Sequence, residues 1–77
     1  MEATKTATLS RKQNLLRYSI AVDIEVALSM GESKEDAINW FSSEECSEIY
    51  GLENGIYPET GEKILDVVNE VVNSHFK

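Results

Sequence analysis

Cations, cysteine and histidine are all scarce in this 77-residue chain, and each shortage closes off a class of function. Seven Lys and Arg stand against fourteen Asp and Glu, a formal net charge of −7. The few cations are also unevenly placed. Residues 1–17 carry Lys5, Arg11, Lys12 and Arg17 against Glu2 alone, a net +3, whereas the remaining sixty residues carry three lysines against thirteen acids, a net −10. A body so negative forfeits the phosphate attraction that supplies most non-specific nucleic-acid affinity, so no direct nucleic-acid binding by the body is expected. One cysteine, Cys46, cannot close an internal disulfide, and the acids around it lack the positive setting that would make a reactive thiolate. A reducing cytoplasm suits it best.

The one histidine, His75, has no second ligand near it in sequence, so no zinc site is expected. Glycine-rich phosphate loops, HExxH and the nucleophile elbow are absent, and Glu53-Asn54-Gly55 lacks the oxygen-ligand series of a calcium loop. No catalytic residue, cofactor or metal is therefore expected. No apolar run is long enough to span a bilayer, and the opening MEATKTATLS lacks a signal peptide's apolar core, so no membrane association is expected.

What is present is a set of helix boundaries. Ser10 with Gln13 makes an S-x-x-Q capping box, and Gly31 stands where a terminating glycine belongs, which predicts a long helix over 11–30. Inside it Tyr18, Ile20, Val22, Ile24, Val26, Leu28 and Met30 alternate with small or polar residues, a strand-like period of two. Thirteen residues is long for a strand in so small a domain, and no second strand of comparable length exists to pair with it, so helix is preferred. As a helix this segment has apolar residues around much of its axis, which implies packing on more than one side or a dimer interface.

Ser33 with Asp36 predicts a second helix over 34–42, whose Ala37, Ile38, Trp40 and Phe41 would centre the core. Ser43 supplies a fresh cap for a short helix over 44–50, ended by Gly51 in the left-handed conformation. Asn54-Gly55 is the strongest turn signal, but its flanking arms are short, so it is read as a turn between helices rather than a β-hairpin. Beyond Pro58, a stripe of Ile64, Leu65, Val67, Val68, Val71, Val72 and Phe76 predicts an amphipathic helix over 60–74. The expected fold is an all-α bundle of three to four helices occupying residues 10–77, preceded by a flexible arm over 1–9.

Two resemblances attach to these residues. The segment Leu28-Ser29-Met30-Gly31-Glu32-Ser33, followed by Ala37, looks like the first loop and second helix of a ubiquitin-associated domain, although Glu32 stands where that family has an aromatic contact. The series Ala37-Ile38, Phe41, Ser43, Ile49-Tyr50, Leu52-Glu53, Gly55-Ile56-Tyr57, Glu59 and Leu65 is similar to a family of short bacterial helical proteins of unknown function, some encoded beside toxin-like genes. That similarity covers 33–68 and implies an accessory or antitoxin-like binding role, with no catalytic residue to carry over.

The expectation is a non-enzymatic, acidic protein-interaction module that self-associates and suits a basic protein partner. Trp40, Tyr50 and Tyr57 are contact candidates if exposed, because aromatics dominate interface energetics. Glu44, Glu45 and Glu48 are the acidic candidates. The alternative is a nucleic-acid-mimicking inhibitor, whose carboxylates would imitate a phosphate track and occupy a basic groove.

Overall fold

The computed structural model describes residues 9–76. The arm expected over 1–9 lies, Leu9 apart, outside the described residues. The remainder is mostly helical: α1 (Arg11–Ser29), α2 (Lys34–Asn39), a single 3-10 turn (Trp40–Ser42), α3 (Glu44–Tyr50), two short strands β1 (Ile56–Tyr57) and β2 (Glu62–Lys63), and α4 (Ile64–His75).

Local chemistry sets most of these boundaries. At the start of α1 the Ser10 hydroxyl accepts from the Gln13 N–H at 3.1 Å while the Gln13 side chain accepts from the Ser10 N–H at 2.8 Å, the reciprocal capping box. At its end Gly31 takes φ +97°, and the Glu32 and Gly31 N–H groups return to the carbonyls of Ala27 and Leu28, which is a Schellman closure. Ser33 and Ser43 cap α2 and α3 by accepting from the N–H groups of Asp36 and Cys46. The expected second helix tightens into the 3-10 turn at Trp40 instead of running as an α-helix to Ser42.

The all-α expectation needs a correction at the centre of the chain. Asn54 and Gly55 both have positive φ, 54° and 78°, and Glu53 and Ile56 exchange two backbone hydrogen bonds of 2.9 Å around them. This is the two-residue hairpin turn that Asn-Gly favours. Its arms are indeed too short to stand alone, but β1 finds a second partner in β2, antiparallel with Ile56 opposite Lys63 and Tyr57 opposite Glu62. The same pairing delays the last helix. The Tyr57 carbonyl accepts from the Thr60 and Gly61 N–H groups, and Gly61 turns at φ +74°, so the chain folds back over 58–61 and α4 begins at Ile64 rather than Thr60.

The core gathers Leu16, Ile20 and Ile24 of α1, Ala37 of α2, Phe41, Cys46 of α3, and Ile64, Val67, Val68 and Val71 of α4. The amphipathic stripe expected for the last helix is thus its buried face, although Leu65 stays exposed. A guanidinium clamp closes the far side. Arg17 donates to Glu62 through Nη2 at 2.7 Å and Nη1 at 3.2 Å, and to Glu70 through Nε at 2.7 Å, tying α1 to β2 and α4.

Candidate functional site

A period-two apolar pattern has a specific consequence once it is wound as a helix. Alternate residues fall into two rows of spacing four that lie on opposite sides of the axis, because each step of two turns the chain by about 200°. In α1 the row Ile20, Ile24, Leu28 faces the core, and the row Tyr18, Val22, Val26, Met30 faces outward. Leu15 extends the outward row toward the N-terminus. Their exposures are substantial: Leu15 56%, Tyr18 69%, Val22 37%, Val26 49% and Met30 75%. From Leu15 to Met30 the row runs about 22 Å at 1.5 Å per residue.

Two open grooves flank this row. One, of about 360 Å³, lies between α1 and α3 and is lined by Leu15, Leu16, Ser19, Asp23, Ile49, Tyr50 and Tyr57. The other, of about 170 Å³, lies between α1 and α2 and is lined by Asp23, Val26, Ala27, Met30, Glu32, Ala37, Trp40 and Phe41. Asp23 belongs to both, and the Tyr50 hydroxyl donates to its carboxylate across the divide. Burial first, and the nearby Asp23 carboxylate second, push the Tyr50 hydroxyl well above its ordinary pKa, so it remains a neutral donor at physiological pH. Tyr50→Phe is expected to cost about 1.5–3 kcal/mol, the net worth of a hydrogen bond to a charged acceptor. Thermal unfolding followed by circular dichroism would show it as a midpoint lowered by roughly 6–24 °C for a domain of this size.

The aromatics expected to make contacts are therefore brought to one face, each half-buried against the core rather than freely exposed. Trp40 packs edge-on against Phe41 at 5.1 Å between centroids, and Tyr50 stands 6.0 Å from Phe41 and 6.4 Å from Trp40. The Trp40 indole N–H donates to Glu45 Oε1 at 2.9 Å, which fixes the ring. Tyr57 lines the first groove only. Glu44 and Glu48 are exposed on α3 and line neither groove. The outward row itself was visible in sequence only as an apolar surround; the caps that fix a helix, together with the four-residue spacing, are the signal that singles it out.

The chain matches no family model, no curated protein and no solved structure.

Ionisable groups elsewhere are placed for structure. Cys46 is fully buried, and burial, with the charge of Asp23 adding to it, pushes its thiol up to about 11, so it stays protonated at neutral pH. Glu62 and Glu70 share Arg17, whose hydrogen bonds hold both carboxyls below the usual range. Among the described residues no group of three or more His, Cys, Asp and Glu side chains is placed to hold a metal ion. Among them, too, no helix is long and apolar enough to cross a membrane.

Proposed function

We propose that this chain is a non-enzymatic protein-interaction module, accessory or antitoxin-like in role, which docks a protein on the outward apolar row of α1 and the grooves beside it. The observation that carries this reading is the row itself: five large apolar side chains in register along one helix, exposed while an equivalent row on the opposite side fills the core. Contiguous apolar surface of this kind, rimmed by polar residues, is a mark of interaction sites. Trp40, Tyr50 and Tyr57 contribute rigid ring edges to the same face, and Glu32, Glu44, Glu45 and Glu48 give the surroundings a charge that suits a basic partner.

Chemistry supports binding over catalysis. Glu62 and Glu70, which Arg17 brings together, are held in their ionised forms, the opposite of the raised pKa a general acid needs. The buried, protonated Cys46 is no nucleophile and suits a reducing compartment such as the cytoplasm.

The test is retention on the immobilised protein of a differently tagged copy of the chain and of proteins from the source cell lysate, at about 0.1 M and about 0.5 M salt. A Tyr18→Glu/Val26→Glu variant, whose substituted side chains are exposed and leave the core intact, serves as comparison. A protein held by the wild type at both salts and lost from the variant supports the reading. Retention that vanishes at high salt and ignores the variant would instead favour a carboxylate surface imitating nucleic acid. No retention of any protein, the tagged copy included, would overturn both.

A further inference from the structure

The charge along α1 is polarised in the same sense as its length. Arg11 and Lys12 are exposed at the N-terminal end of the outward row, and Glu25 and Glu32 are exposed at its C-terminal end. Two copies laid side by side in parallel would set cation against cation and acid against acid. Two copies laid antiparallel would set Arg11 and Lys12 of each against the acidic end of the other, and would also oppose the two helix dipoles favourably.

We propose that the occupant of the outward row is a second copy of this chain, with two α1 helices packed antiparallel about a two-fold axis at Val22. This rests on the reading of that row as a docking face and names its partner. Val22 lies midway between Tyr18 and Val26, so a two-fold axis there brings each Tyr18 onto the partner's smaller Val26, with Lys12, which also lies 3.6 Å from Glu59 of its own chain, toward the partner's Glu32 just past the end of α1. An isologous contact requires such self-complementarity of one patch.

The area is sufficient. The five exposed side chains of the row, with Ile49 at 65% exposure beside Leu15 across the first groove, present roughly 600 Å² of surface, at the top of what the largest patch on a monomer usually reaches. Doubled by symmetry, that is roughly 1,200 Å², the threshold of a specific interface before any rim residue is counted. The size of the chain points the same way, since domains below about 80 residues have small cores and often gain stability from association.

Sedimentation equilibrium across concentration tests the proposal. The wild type is expected to approach twice its 8.6 kDa mass with little response to salt. Val22→Asp sets two carboxylates face to face on the axis and is expected to weaken the dimer at least a hundredfold; Tyr18→Glu, at a more exposed position, provides the same test should Val22→Asp disturb the fold. Orientation is read by charge exchange. Arg11→Glu/Lys12→Glu and Glu25→Lys/Glu32→Lys chains are each expected to dimerise at least tenfold more weakly than wild type, and their mixture to recover heterodimers.

A wild type that stays monomeric overturns the proposal while leaving the row open to a different protein, which lysate retention would reveal. A dimer indifferent to both row substitutions, or exchanged chains that fail to recover, overturns it as well. A wild type that retains no protein, the tagged copy included, overturns the docking reading itself, so the two failures are separate.

Discussion

Phe41→Ala is expected to lower the unfolding free energy by about 4 kcal/mol, within the range of roughly 3–5 for truncating a buried aromatic. Phe41 is 2% exposed and sits in the 3-10 turn that joins α2 to α3, against the edges of Trp40 and Tyr50. It also backs the second groove, so its ring divides core from surface at the point where three elements meet. Removing it opens a cavity that the tightly wound turn has little freedom to fill. A chain of this length has a total stability of only about 4–12 kcal/mol, so the variant should lie close to unfolding at room temperature. Urea unfolding followed by Trp40 fluorescence would measure the loss directly, with Leu65→Ala as the exposed comparison at under about 1 kcal/mol. A loss below about 1 kcal/mol for Phe41→Ala would mean that the core is centred elsewhere.

Much of this fold is written in short-range signals. Ser10 with Gln13, Ser33, Ser43, Gly31 and Gly51 each fix a boundary through hydrogen bonds reaching no more than five residues, and each can be read from sequence for that reason. The same caps settle the ambiguous stretch from Tyr18 to Met30: its side-chain alternation suits a strand, but both ends are closed as a helix. Asn54-Gly55 carried its hairpin signal plainly. What sequence did not show was the partner strand, because Glu62 and Lys63 carry no β-branched or aromatic side chain and are recruited by the fold-back over 58–61. That non-local pairing also moved the start of the last helix by four residues. The outward apolar row was half legible, since the apolar surround is in the sequence but its division into a buried and an exposed row depends on which side α4 covers. Trp40, Tyr50 and Tyr57 could be named but not placed, since their half-burial depends on Phe41, Asp23 and α1 coming together.

Arg17 is the residue whose role sequence conceals most completely, and its removal should have the second large effect. In the linear chain it belongs with Lys5, Arg11 and Lys12 as one of four cations before a negative body. In the fold it reaches Glu62 and Glu70, 45 and 53 residues away, while its Nη1 also donates to the Gln13 carbonyl at 3.0 Å. Its side chain is only 13% exposed, and both carboxylates are met by forked N–H pairs, the geometry in which Arg and carboxylate bind most strongly. Arg17→Met keeps the aliphatic stem and removes the guanidinium, leaving two neighbouring carboxylates without their shared cation. The expected loss is about 2–3 kcal/mol, less than for a fully buried pair because Glu70 is half exposed and its share is screened by water. The pH dependence separates this cause from lost packing. Both carboxyls have pKa values lowered in the folded state, so the stability they supply is fully present above their ordinary unfolded value of about 4.3 and is lost as pH falls through the lowered folded values. Wild type should therefore lose stability on acidification through that window, while Arg17→Met, with only the Gln13 and Thr60 hydrogen bonds to Glu62 left to favour an ionised carboxyl, should lose much less. Urea midpoints for the two proteins, well separated at neutral pH, should converge as the solution is taken below the lowered folded pKa values of the two carboxyls. A gap that stays constant across the acid limb would show that the guanidinium holds α1 to α4 by contact and shape, and that its charge contributes little.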